Sequence, residues 1–219
     1  MNGTKTQTRR IIKPQPTKDW IDNTKNFSFK NGSMFDSSGK QLFWLENPKN
    51  GKEIYPKYKP NDIMWVRETL YQNGELGLEY VANKEPIDEC IIPNNFNVRL
   101  DKDGHYKFCQ IPSIYMPKFA CRNFLLVNKI RVERLWDISE EDAIAEGIEE
   151  IHPAPFLIRW KNYNKEKEYF ENPIGSFKSL WISINGQKSW DENPYVFAYD
   201  FSETERPKTF LLNNNGFKD

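Results

Sequence analysis

Phe124-Leu125-Leu126-Val127-Asn128-Lys129-Ile130-Arg131-Val132-Glu133-Arg134-Leu135 is the longest run in the chain that reads as one strand. Ile130 and Val132 alternate with Lys129, Arg131 and Glu133, so a period of two puts the charges on the face opposite the branched side chains. Shorter runs of the same kind lie on both sides. The Pro60-Asn61-Asp62 turn launches Ile63–Thr69, whose β-branched and aromatic content predicts a buried strand. Glu79–Ala82 and Tyr106–Gln110 are further strand candidates, with a turn at Asp101–Gly104. Tyr195–Phe201 alternates as a closing strand.

Two helices interrupt this pattern. Ser139 can cap the first, Asp142 sits three residues on in a capping-box arrangement, and Gly147 supplies a left-handed stop. The second spans about Gly175–Ile184, where Phe177, Leu180, Trp181 and Ile184 follow the spacing of a core-facing stripe. Short strands with few helices predict an α+β fold that is mostly β: a small antiparallel barrel with helices covering one opening. Loop-rich insertions are expected at about 14–60, 70–111 and 150–172 of a single domain over 1–201, with a polar, frayed tail over 202–219.

Composition narrows the function. Thirty-one Lys and Arg balance 31 Asp and Glu, so the formal net charge is zero. A protein that holds nucleic acid by bulk electrostatics carries a basic excess, so any such contact here is local. Aromatics make up 15% of the chain, enough apolar bulk for a core. Cys90, Cys109 and Cys121 are widely spaced and only two histidines accompany them, so neither a metal site nor a cofactor is expected. Residues 1–18 lack the apolar segment of a signal peptide, and no apolar run is long enough to cross a membrane. A cytoplasmic protein with reduced thiols is expected, in a bacterial or phage-infected host cell.

The first ten residues carry the chemistry. Gly3-Thr4-Lys5-Thr6-Gln7-Thr8-Arg9-Arg10 holds one ammonium, three hydroxyls and two guanidiniums without an acid, which suits a polar or anionic partner. Ser139–Gly147 reads as a short acidic helix ending at Glu146. A lysine, a hydroxyl and a carboxylate brought together would make a small hydrolytic site.

Gly3-x-Lys5-x-x-Thr8-x-Arg10 resembles the signature of the ASCH domain, a branch of the PUA-like superfamily. Asn61–Glu68, the long strand, the acidic helix with Glu146-Gly147, and Tyr195–Phe201 resemble later blocks of that family. Together they cover about half the chain. Lys5–Arg10, Trp65–Thr69, Pro112–Pro117 and Ser183–Gly186 are similar to a phage and prophage subfamily. The family places a strand and a helix before its lysine, whereas this sequence starts at the signature. Either a segment precedes it or one barrel strand is missing.

The resemblance implies a PUA-like barrel acting on or recognising RNA or a modified nucleoside, with amidohydrolysis of N4-acetylcytidine as the activity it suggests. Lys5, Thr8 and Glu146 then stand at the catalytic positions: Lys5 as base, Thr8 as nucleophile or water-orienting group, Glu146 as acid or positioning group. Arg10, Arg9, Arg67 and Glu68 are the candidate substrate contacts, although Arg67 and Glu68 also suit a structural ion pair. The rival reading is a non-catalytic RNA or modified-nucleotide binding module using Arg9, Arg10 and Lys13. A ribonuclease ranks third, since nothing specifies a metal or a histidine pair.

Overall fold

The computed structural model describes residues 5–16, 30–35, 41–46, 53–73, 77–87, 102–103, 109–166, 168–208 and 210, with backbone alone for 30–35, 41–46 and 53. Strand exceeds helix, and an antiparallel sheet curls as a half-barrel. The chain divides into two compact units, Met1–Asn61 with Val127–Ser202 and Asp62–Leu126 with Glu203–Asp219.

In the first unit, β1 (Gln7–Ile11) is an edge strand. It pairs antiparallel with β13 (Tyr195–Thr204), which lies between β1 and the Val127–Arg134 part of β9 (Phe124–Arg134). β2 (Lys30–Phe35) and β3 (Gln41–Glu46) pair antiparallel within 14–60, where a loop-rich insertion is expected, and β4 (Glu53–Ile54) adds to β3. After β9 comes α1 (Glu140–Ala145), capped by Ser139 as expected, with its hydroxyl accepting from Asp142 N at 3.1 Å. Then β10 (Glu150–Ala154), β11 (Leu157–Lys161) and β12 (Tyr169–Phe170) make a small sheet. α2 (Pro173–Asn185) starts at the Asn172 cap, and α3 (Gln187–Asp191) follows the Gly186 break. Leu135, Ile138, Ala143, Trp160, Phe177, Trp181, Trp190 and Val196 close the core between these pieces.

In the second unit, β5 (Ile63–Trp65) pairs antiparallel with Phe124–Leu126 of β9. β6 (Leu70–Asn73) stands between β7 (Gly77–Tyr80) and β8 (Cys109–Ile111). Two prolines open the single 3₁₀ turns Ser113–Tyr115 and Lys118–Ala120.

Several sequence expectations need adjustment. The strand from Ile63 stops at Trp65 instead of reaching Thr69. β6 occupies a stretch expected to be irregular. The strand expected over Glu79–Ala82 is Gly77–Tyr80, with a turn over 81–83. Residues 106–108 of another expected strand lie outside the described residues, as do Asp101 and Gly104 of the turn between. Residues 202–204 continue β13 rather than fraying, and Phe210 is fully buried. Its ring packs edge-on to Phe124 (4.8 Å between centroids) and Trp65 (5.9 Å), an aromatic burial that overrides the polar composition around it. The remainder of the expected tail, 211–219, lies outside the described residues, as do Gly3 and Thr4 of the signature and Cys90.

Candidate functional site

The segment before β1 is fixed from two sides. Phe201 N donates to Thr6 O, and Thr6 N donates to Ala145 O, each at 2.8 Å. The second bond satisfies a carbonyl that the end of α1 leaves without a helical partner. Its consequence is to lay Lys5 across the turn at Glu146 and Gly147. Lys5 Nζ donates to Glu146 O at 2.6 Å and to Glu146 Oε2 at 3.0 Å. Glu146 is only 6% exposed, so its carboxylate is enclosed with its cation. The Lys5 side chain keeps 42% of its surface, which leaves it reachable from outside.

Arg9 lies behind this pair and organises it. Its side chain is wholly buried. The guanidinium meets Glu133 Oε1 at 2.6 Å, Asp142 Oδ2 at 2.8 Å and Glu146 Oε1 at 3.2 Å, with its carbon 5.8 Å from the centre of the Phe177 ring. Buried cations need this kind of company, because desolvation is repaid only when several acceptors are aligned. Arg131 adds a second guanidinium that binds Asp142 at 3.0 Å and reaches Glu133 at 3.3 Å. Asp142 therefore turns its carboxylate into this cluster while its backbone N–H takes the Ser139 cap. Burial pushes the Asp142 carboxyl up. The bonds from Arg131 and Gln7 and the charges of Arg9 and Arg131 outweigh this, and it sits below the usual carboxylate range.

Beside these groups is a cavity of about 450 Å³. Lys5, Glu146, Thr8, Arg9 and Arg10 form its polar side, and Phe177, Leu180, Trp181 and Ile184 of α2 its apolar side. Strand alternation sends Thr8 and Arg10 to the face opposite Gln7 and Arg9. Thr8 stands directly across from Tyr199, whose buried hydroxyl is pushed up to about 12, chiefly by desolvation. Because β1 is an edge strand, side chains from both of its faces border the same cavity.

The predicted residues thus fall into three sets. Lys5, Thr8, Glu146 and Arg10 share one cavity wall. Arg9 lines it too, but its guanidinium is committed to three carboxylates, so the open basic patch of Arg9, Arg10 and Lys13 loses a member. Arg67 and Glu68 belong to the second unit. There Arg67 stacks 4.7 Å from the Trp65 ring centre and donates to Ile114 O at 2.9 Å. Glu68 takes two bonds from Arg122, at 2.9 and 2.7 Å, and one from Asn123. The structural ion pair expected for Glu68 is with Arg122, not Arg67. Fork-shaped guanidinium geometry favours this two-point contact.

Sequence reasoning missed the α2 wall. The Phe177, Leu180, Trp181, Ile184 stripe reads as core, and Phe177, Trp181 and Leu180 do belong to the core cluster, but Ile184 is exposed and all four also border the cavity. Helical spacing reports one apolar face but not whether that face meets protein or an opening. Among the described residues no group of three His, Cys, Asp or Glu is placed to hold a metal ion, and no helix is long and apolar enough to cross a membrane. No family model, curated protein or solved structure matches the chain.

Proposed function

We propose that this cavity binds a modified nucleoside and hydrolyses an acyl amide on it, as its resemblance to ASCH amidohydrolases of N4-acetylcytidine suggests. The observation that carries the reading is the Lys5–Glu146 pair, with Nζ 3.0 Å from Oε2 in the wall of a cavity that Thr8 also lines. The volume suits a nucleoside, and the α2 side chains offer an apolar wall for a flat ring.

The chemistry follows from the contacts. Lys5 contacts two Glu146 oxygens, so on this reading it is a donor where the resemblance implies a base. Its third N–H is left for the acyl oxygen, where an ammonium stabilises developing negative charge. Glu146 takes a proton from water as the water oxygen bonds to the acyl carbon. The carbon–nitrogen bond then breaks, and Glu146 returns the proton to the departing amino nitrogen. The products are acetic acid and cytidine. Thr8 orients the water or the acyl oxygen, while Arg9 holds Glu146 from behind.

The test is incubation of purified protein with N4-acetylcytidine, followed by mass spectrometry. Cytidine should accumulate, and Lys5→Ala or Glu146→Gln should slow it by roughly a hundredfold or more, the usual scale for losing an acid–base group. Intact substrate after hours at high protein concentration would sink the proposal.

A further inference from the structure

We propose that the cavity continues along β1 into a phosphate-binding subsite at Lys13 and Lys188, so that its ligand is a phosphorylated nucleotide, free or within an RNA strand, in preference to a bare nucleoside. This rests on the reading of the first cavity as a nucleoside site. A second cavity of about 490 Å³ shares Ile11, Lys13 and Asn185 with the first and adds Lys188, Ser189 and Glu192. The shared residues make the two spaces neighbours on one strand edge.

The strand register leaves room for a ligand along the edge that joins the two cavities. Phe201 N bonds Thr6 O and Ile12 N bonds Tyr195 O, while the β1–β13 register is regular between them. Thr8 and Arg10 therefore face β13 with their backbone groups, and Gln7, Arg9 and Ile11 turn theirs outward. Arg9 O is taken by Arg10 Nη1 at 3.3 Å. The N–H and C=O of Gln7, the N–H of Arg9 and the N–H and C=O of Ile11 find no hydrogen-bonding partner among the described residues. An edge strand leaves such groups to water or to whatever binds beside it.

This open stretch is short. At one end Thr6 N–H is tied to α1, and Gln7 Nε2 bonds Asp142 of the same helix. At the other, Gln15 Nε2 bonds Ile12 O and Tyr195 O. Groups two residues apart on a strand lie about 7 Å from each other, so one base meets a single donor and acceptor pair such as that of Ile11. Charge agrees with an anionic extension. Lys5, Arg9, Arg10, Lys13 and Lys188 line the two cavities against Glu146 and Glu192. Glu146 is occupied by Lys5 and Arg9, and Glu192 stands 3.8 Å from Lys188 in an exposed pair of little strength. Lys13 and Lys188, both exposed, are the cations left for a phosphate.

The experiment compares binding of N4-acetylcytidine, its 5′-monophosphate and a short RNA carrying it, for native protein, Glu146→Gln and Lys13→Glu/Lys188→Glu. Native protein should bind the phosphorylated forms at least tenfold tighter than the nucleoside at low salt. The charge-reversed protein, checked for a normal melting curve, should lose that preference. For the RNA, two lysine contacts correspond to a slope of about −1.4 in log affinity against log salt. A larger gain for RNA than for the monophosphate assigns the subsite to a strand, and an equal gain assigns it to the free nucleotide. Equal affinity for nucleoside and nucleotides overturns the proposal, as does a preference that survives charge reversal or a competing acidic peptide that binds more tightly than RNA. Phosphate preference without hydrolysis would sink the amidohydrolase reading and leave the subsite standing; hydrolysis without the preference would do the reverse.

Discussion

A Cβ built on Gly147 would lie 2.8 Å from the Cβ of Lys5 and 3.2 Å from its Cγ. The residue that stops α1 is thus also the floor on which the lysine stem rests. Gly147 has φ of 82°, a left-handed conformation that L side chains adopt at a cost. Helix termination and placement of the ammonium therefore depend on the same missing side chain.

Gly147→Ala should destabilise the protein by roughly 1–3 kcal/mol, from backbone strain and the close contact together. It should also displace Lys5 and reduce the proposed amide hydrolysis more than stability alone explains. Denaturant titration beside turnover of N4-acetylcytidine measures both. A variant with native stability and native turnover would show that Lys5 does not need this seat.

Arg9→Ala should cost about 3–5 kcal/mol, because it leaves Glu133, Asp142 and Glu146 enclosed without their shared cation. Arg9→Lys should recover little of this, since one ammonium cannot span three carboxylates as a planar fork does. Thermal melts of the two variants provide the comparison. A lysine variant that melts like the native protein would refute the bridging role.

Asp142 gives a pH dependence whose sign is set. Its folded carboxyl lies below the ordinary value, near 3.9 for an unfolded aspartate. The stability it contributes is present above about pH 4 and is lost as pH falls through the lower folded value. Asp142→Asn should lower stability at neutral pH and flatten the acid side of the profile. Parallel denaturation curves between pH 2 and 7 check this, and an unchanged acid limb would count against it.

Phe210→Ala should destabilise the second unit by about 3–5 kcal/mol, the usual range for a buried aromatic cut to alanine. Truncation after residue 204 should do the same by removing the ring from Trp65 and Phe124. Native hydrogen-exchange protection in β5 of either variant would show that the ring is dispensable.

Legibility in the sequence followed the range of the interaction. Ser139, Gly147 and the alternation around Ile130 act within a few residues, and each appears where local rules place it. β6 was not legible, since Leu70–Asn73 has little alternation of its own and is held by β7 and β8 on either side. Phe210 was hidden for a related reason: a lone ring in a polar segment has no period to detect. At the site, the signature residues marked Lys5, Thr8 and Glu146, but nothing local distinguished Arg9 from Arg10. One is wholly buried among carboxylates and the other is exposed, a difference made by which face of β1 meets α1 and α2.

By itself the sequence determined the two helix boundaries at Ser139 and Gly147, the long strand and the closing strand, because caps and alternation depend on neighbours along the chain. Only the tertiary structure decided that Lys5 meets Glu146 across 141 positions, that Arg9 is spent on three acids, and that the α2 stripe passes from buried Phe177 and Trp181 to exposed Ile184 along a cavity. Those outcomes turn on how elements pack once loops close, and the energies of desolvation and ion pairing that select them exist only after distant groups have been brought together.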